Sequence, residues 1–179
     1  MDCGPSCLRM IAKFYGKSYS LQHLRDITYQ NREGVSLHAI SEAAETLGFR
    51  TIAVKVDYLT LLEDVPMPCI AHWRQNHFVV VYKVTKTHVW VADPGKSKIK
   101  YTRKEFEKGW LSTLQDGSGE GILLAIETAP EFYEYPSPPK ERTLGLKFVW
   151  SYIRPYRKLI LQLFLGLLLA SMLQLILPF

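Results

Sequence analysis

The chain has 179 residues, 47% hydrophobic and 22% charged, which is enough for one ordinary domain plus an appendage too short to build a second core. Its 22 Lys and Arg against 17 Asp and Glu leave a formal charge of +5, yet Lys147, Arg154, Arg157 and Lys158 stand just before an apolar tail, and no nucleic-acid-binding motif accompanies them. A membrane surface therefore explains the basic balance better than DNA or RNA does, no nucleic-acid partner is expected, and the remaining cations read as solvated faces.

Leu8, Ile11, Ala12 and Tyr15 recur at helical spacing and Gly16 stops the run, which predicts a first helix beginning close to Cys3. Ser20 caps a second, short helix carrying Leu21, Leu24 and Ile27; Ser36 caps a third, with Leu37, Ile40, Ala44 and Leu47 on one face and Gly48 as its stop. After Gly48 the period falls to two, with Ile52, Val54 and Val56 alternating with Thr51, Ala53 and Lys55 as in a half-buried strand. Further strands are predicted over Cys69–Trp73, His77–Val84, His88–Ala92 and Gly121–Glu127. Helices first and strands after them give an α+β fold rather than alternating βαβ units.

The folded domain is expected over residues 1–128, followed by a linker over 129–145 in which Pro136, Pro138 and Pro139 stand among charged residues. Residues 146–179 then supply the basic flank and an apolar run, Leu159 to Phe179, with no charged residue in 21 positions. As a helix that run spans about 30 Å, the thickness of a bilayer core. A buried core helix is the alternative, but it needs a large surrounding protein. One isolated span suggests a segment of a longer membrane protein, and the cations on its N-terminal flank place the folded domain in the cytoplasm. Three cysteines with no secretory signal before them agree with a reducing compartment and leave at least one thiol free for chemistry.

Cys3 precedes Gly4 and Pro5, and proline is favoured in the first helical turn, so Cys3 is expected at a helix N-terminus, where free N–H groups and the positive dipole end favour thiolate over thiol. Gly4 is expected to let a substrate carbonyl approach the backbone. An inert buried cysteine is the alternative use of the position. Cys7, four residues on, raises a metal site, but no second pair of Cys or His at zinc spacing completes four ligands, so Cys7 and Cys69 read as small core residues. A thiolate peptidase needs an imidazole to take and return a proton. Among the five histidines, His77 opens the run His77-Phe78-Val79-Val80-Val81-Tyr82, whereas His23 and His38 fall in predicted helices, and His72 and His88 lack a usefully placed carboxylate. A hairpin turning near Thr85 sets residues whose numbers sum to about 170 opposite each other, which puts Asp93 against His77. The alternative for Asp93 is an Asx turn before Pro94-Gly95.

The stretch Asp2-Cys3-Gly4-Pro5-Ser6-Cys7-Leu8, continued by Met10 to Gly16, resembles the cysteine motif of the double-glycine leader peptidase domains of ABC exporters. His77-Phe78-Val79-Val80 and Val91-Ala92-Asp93-Pro94-Gly95 resemble that family's histidine and aspartate motifs, in the same order, and the tail resembles an exporter's first transmembrane helix. The resemblance implies a papain-like cysteine peptidase with Cys3, His77 and Asp93 as catalytic residues. It implies cleavage after Gly-Gly of a leader on a secreted peptide, on the cytoplasmic face of a bacterial inner membrane. The expected partners are the leader-bearing precursor, which docks as an amphipathic helix, the membrane and the remaining exporter domains, with a homodimer in the full transporter. No cofactor is expected in this chain; no phosphate-binding loop occurs in it, and ATP and Mg belong to a nucleotide-binding domain outside it. Trp73, Tyr101 and Phe106 are aromatic candidates for the groove, with packing as the other use of each. The family's oxyanion glutamine has no counterpart here, since only Met1 and Asp2 precede Cys3, and an upstream in-frame Gln is expected. Gln75 does not match that motif. A docking module that binds without cutting and an amidase acting on small molecules are the alternative functions.

Overall fold

The computed structural model describes residues 2–28, 35–115, 118–134, 150 and 153–176. The chain divides into two compact units, Met1–Lys140 and Glu141–Phe179. Three helices open the first unit: α1 over Cys3–Phe14, α2 over Leu21–Ile27 and α3 over Leu37–Thr46. Their starts are set by local chemistry, for the Ser20 hydroxyl accepts from the His23 N–H at 3.0 Å and the Ser36 hydroxyl accepts from the Ala39 N–H at 3.1 Å. Gly16 and Gly48 take φ of +90° and +87° where the chain leaves α1 and α3, as left-handed C-terminal stops require.

Strands β1 (Phe49–Val56), β2 (Cys69–Trp73), β3 (His77–Val84), β4 (His88–Ala92), β5 (Lys98–Thr102), β6 (Leu111–Gln115) and β7 (Ser118–Thr128) form one antiparallel sheet in the order β1-β7-β2-β3-β4-β5, with β6 paired to β7. Two short helices interrupt them, α4 over Tyr58–Glu63 and α5 over Arg103–Trp110. Period-two side chains split the core between the two faces. Ile70, Phe78, Val80, Ala92, Leu124 and Ile126 join Cys7, Leu8, Ile11 and Ile40 on the α1–α3 side. Cys69, Val79, Val81, Val89, Val91 and Leu123 join Phe106 and Trp110 on the α5 side. A fold of helices with an antiparallel sheet is the α+β architecture expected from the sequence.

Helix α6, Pro130–Glu134, lies in the segment whose composition resembles a linker, yet Phe132 is fully buried, 4.4 Å from the Phe49 ring centroid. Gly48 permits this contact, because a Cβ there would fall 2.5 Å from the Phe132 nitrogen. The prolines at 136, 138 and 139 lie outside the described residues. In the second unit a 3₁₀ turn over Arg154–Tyr156 leads into α7, Arg157–Ile176. The stretch Arg154–Gln174 has a mean hydropathy of 1.5 over its most apolar window, and its side chains are exposed throughout. It is long and apolar enough to cross a membrane.

Candidate active site

Cys3 is the first residue of α1, and the helix closes its first backbone bond from the Ser6 N–H to the Asp2 carbonyl at 3.0 Å. The N–H groups of Cys3 and Gly4 have no acceptor within the helix. Asp2 is tied to α2 by the Arg25 guanidinium, whose Nε donates to Asp2 Oδ1 at 3.0 Å, and this anchors the turn that presents Cys3. A Cβ at Gly4 would lie 2.9 Å from Ile40 Cδ1 and 3.3 Å from Val35 Cβ, so the packing of α1 on α3 also favours glycine at this position.

Cys3 and His77 line one cavity of about 480 Å³, together with Asp93, Ser6, Trp73 and Asn76. Among the described histidines, only His77 lines it. The others are engaged elsewhere: His23 stacks on Tyr19, His72 on Phe78, His38 pairs with Glu42, and His88 Nδ1 meets the Thr87 hydroxyl. His77 Nε2 lies 2.8 Å from Asp93 Oδ1, which leaves Nδ1 as the ring nitrogen for a thiol proton. The Gly95 N–H donates to the same oxygen at 2.9 Å, so Asp93 both begins a turn and holds the imidazole. Burial pushes the Asp93 carboxyl up, but the bonds from His77 and Gly95 and the charges of His77 and Lys96 outweigh it and hold the group below its ordinary range.

The hairpin register differs from the expected one. Val80 faces Ala92 and Val81 faces Val91, so partners sum to 172, and the register shifts between Val81 and Lys83. Asp93 therefore reaches His77 as a diagonal neighbour, one pair past the strand end. The extra residue at Tyr82 forms a bulge that no periodicity announces.

Cys7 and Cys69 are fully buried. Cys7 Sγ donates to the Phe78 carbonyl at 3.3 Å, and burial, reinforced by Cys3 and Asp93, pushes its thiol well up. Burial pushes Cys69 up to about 12. Neither is available as a thiolate near neutral pH, which leaves Cys3 as the thiol on the cavity.

The walls include residues the sequence reading did not single out. Ser6 follows Cys3 by one helical turn. Arg74, Asn76 and Lys96 come from the two turns that end the strands, and loop residues without periodicity give no signal of where they point. Arg74 and Gln75 take φ of +49° and +61°, left-handed values that cost non-glycine residues about 1 kcal/mol or more each. The Arg74 N–H bonded to the Gly109 carbonyl at 2.8 Å holds the turn in place. Gly109 also makes room for Trp73, since a Cβ on it would fall 2.5 Å from that ring. Of the three aromatic groove candidates, Phe106 is fully buried and Trp73 nearly so, with ring centroids 5.5 Å apart, while Tyr101 lies 5.4 Å from Trp73. Packing is the use of Phe106, and Trp73 is a packed wall of the cavity.

A thiol on an N-terminal helix, set beside an antiparallel sheet that carries a histidine and its carboxylate, is the architecture of a papain-like cysteine peptidase. The chain belongs to the peptidase C39 family, whose model matches residues 1–114. It is 42% identical over 118 residues to the lactococcin-G-processing and transport ATP-binding protein of Lactococcus lactis, covering 63% of this chain and 17% of that one. It is 30% identical to the transport/processing ATP-binding protein ComA of Streptococcus pneumoniae, covering 98% of this chain and 24% of the relative. The chain thus spans about a quarter or less of these relatives. Among solved structures, a double-glycine motif protease of an AMS/PCAT transporter in complex with its leader peptide superposes with a TM-score of 0.61 at 28% identity, covering 71% of this chain and 84% of that one. The peptidase domain of Streptococcus ComA gives 0.59 at 30% identity, covering 71% and 91%.

Proposed function

We propose that Cys3, His77 and Asp93 act together to cut the leader of a secreted peptide after Gly-Gly, on the cytoplasmic side of a bacterial inner membrane, within an ABC exporter that then carries the product out. The observation that carries this is the 2.8 Å bond between His77 and Asp93 on the cavity that Cys3 lines. Cys3 Sγ gives up its proton to His77 Nδ1 and attacks the scissile carbonyl. The backbone N–H groups of Cys3 and Gly4 stabilise the oxygen that becomes negative. The imidazolium, held by Asp93, returns the proton to the leaving amine, and water then releases the leader from the thioester. The match to a protease solved with its leader peptide supports the substrate class, and α7 with its basic flank supports the membrane setting. ATP hydrolysis would belong to other parts of such an exporter, where a second copy of the chain would also stand.

The test is to incubate the full chain in detergent with a helix-forming peptide ending in Gly-Gly and a short extension, and to identify the products by mass. One cut after Gly-Gly, absent in Cys3→Ala, is expected. Cleavage elsewhere, or cleavage that survives Cys3→Ala, would overturn the proposal.

A further inference from the structure

Helices α2, α3, α4 and α5 start in the same way. The hydroxyls of Ser20, Ser36 and Thr102 and the carboxylate of Asp57 each accept from the N–H three residues on, at 3.0, 3.1, 3.4 and 2.9 Å, with the capping residue extended at ψ of 147° to 177°. Helix α1 departs from this pattern. Asp2 stands at its N-cap with ψ of 16°, and its carboxylate makes no cap bond. The residue three on is Pro5, which has no N–H to give. The Arg25 guanidinium grips the carboxylate instead, with Nε donating to Oδ1 at 3.0 Å and Nη2 donating to Oδ2. Arg25 is well placed for this. It lies in the last turn of α2, where the hydroxyl of the fully buried Thr28 stands 2.8 Å from the Leu24 carbonyl and 3.2 Å from that of Arg25, and the adjacent carboxylate of Asp26 is engaged by Gln22 Nε2 at 2.9 Å.

An aspartate released from such a grip bonds the backbone N–H two residues on, as in an Asx turn. For Asp2 that donor is the Gly4 N–H, and with Pro5 next in line no capping N–H competes for the carboxylate. The Gly4 N–H is also one of the two groups that the mechanism above gives to the oxygen of the scissile carbonyl. A carboxylate bonded to it would occupy a donor that the oxyanion needs and set a negative charge beside the one that develops. Asp2 lines the cavity of Cys3, so its carboxylate is close enough for this to matter. As a contribution to stability the ion pair is minor, for the Arg25 and Asp2 side chains are 36% and 42% exposed. Its consequence lies in where it holds the carboxylate.

We propose that Arg25 is a positioning residue for the cleavage: its grip on both Asp2 oxygens keeps the carboxylate off the Gly4 N–H and leaves that donor to the substrate oxygen. This rests on the peptidase function proposed above and adds to it a residue of α2 that acts only through Asp2.

The experiment compares the full chain in detergent with Arg25→Gln, which cannot close the two-pronged grip, and with Arg25→Gln combined with Asp2→Ala, which also removes the carboxylate. Steady-state cleavage of a helix-forming Gly-Gly peptide is measured beside the NMR signal of the Gly4 amide. Labelling cysteine at its carbonyl carbon and glycine at nitrogen isolates that signal, because Cys3-Gly4 is the only Cys-Gly pair in the chain. Arg25→Gln should lower kcat about tenfold or more, short of the ~100- to 1000-fold of a donor lost outright, with KM within about twofold, and should move the Gly4 amide signal downfield. The double variant should recover most of kcat and return the signal to its parental position. A tie that only steadies α1 against α2 predicts the opposite, a double variant no better than Arg25→Gln. An unchanged kcat in Arg25→Gln, or a loss that the double variant does not recover, overturns the role of Arg25 and leaves the peptidase function standing. No cleavage by the parental chain sinks the peptidase function, and the Gly4 signal then still reads the placement of Asp2, which an unmoved signal in Arg25→Gln refutes.

Discussion

Asp93→Asn isolates what the carboxylate charge contributes. Asp93 Oδ1 accepts from both His77 Nε2, at 2.8 Å, and Gly95 N, at 2.9 Å, so an asparagine oxygen in the same place keeps both bonds and the imidazole tautomer. What is lost is the attraction between the carboxylate and the imidazolium that forms during proton transfer. At the 2.8 Å separation the Coulomb energy is about 6 kcal/mol at an effective dielectric near 20 and about 1.5 kcal/mol in water. The His77 side chain is 24% exposed and that of Asp93 8%, which places the pair between these limits, at about 2–3 kcal/mol. Turnover of a Gly-Gly peptide should therefore fall roughly 30- to 150-fold, with KM within about twofold, since Asp93 holds a catalytic group and not the leader. Steady-state kinetics with circular dichroism as a folding control gives the answer. A folded Asp93→Asn chain turning over at the parental rate would refute the role given to the carboxylate.

Cys7→Ala should keep turnover within about threefold while costing about 1–2 kcal/mol of stability in denaturant melts, because it removes a buried thiol bonded to Phe78; a dead but folded variant would move the nucleophile to Cys7. Gly4→Ala should destabilise the fold by about 1–3 kcal/mol through its contact with Ile40, and Ile40→Val, which removes the Cδ1 atom, should restore part of that loss. Asp93 is held below its ordinary range in the folded chain, so its stabilising contribution is complete above the unfolded value of about 3.9 and disappears as pH falls through the lower folded value. Melting temperature should accordingly drop less steeply below about pH 4 in Asp93→Asn than in the unsubstituted chain; parallel curves would contradict this.

The elements that the sequence announced are those with caps or clear periods. Ser20, Ser36, Gly16 and Gly48 mark α1–α3, and alternating Val and aromatic residues mark β2–β4, whose predicted bounds agree with the structure. Helix α4 is six residues long, too short for a moment to stand out, and β5 is a lysine-rich edge strand. Helix α5 did carry a usable signal: Thr102 and Glu105 form a capping box, with the Thr102 N–H donating to Glu105 Oε2 at 2.8 Å. Within the candidate site, Cys3, His77 and Asp93 were legible because each sits at the start or end of a regular element. Arg74, Asn76 and Lys96 were not, because turn geometry alone brings them to the cavity. The His77–Asp93 pair was reached through a register two units off in the residue sum, and the diagonal reach of Asp93 past the strand end compensated for it.

On the function proposed above, Cys3 is the thiolate that His77 activates on this cavity. A peptide chloromethyl ketone ending in Gly-Gly alkylates an activated thiol irreversibly, so intact mass followed by peptide mapping after brief exposure near neutral pH reports where it reacts and how fast. One adduct on Cys3, formed at least about tenfold more slowly in His77→Ala, is the expected result. An adduct on Cys7 or Cys69, or one on Cys3 formed at the same rate without the imidazole, would rule out Cys3 as the thiolate that His77 activates.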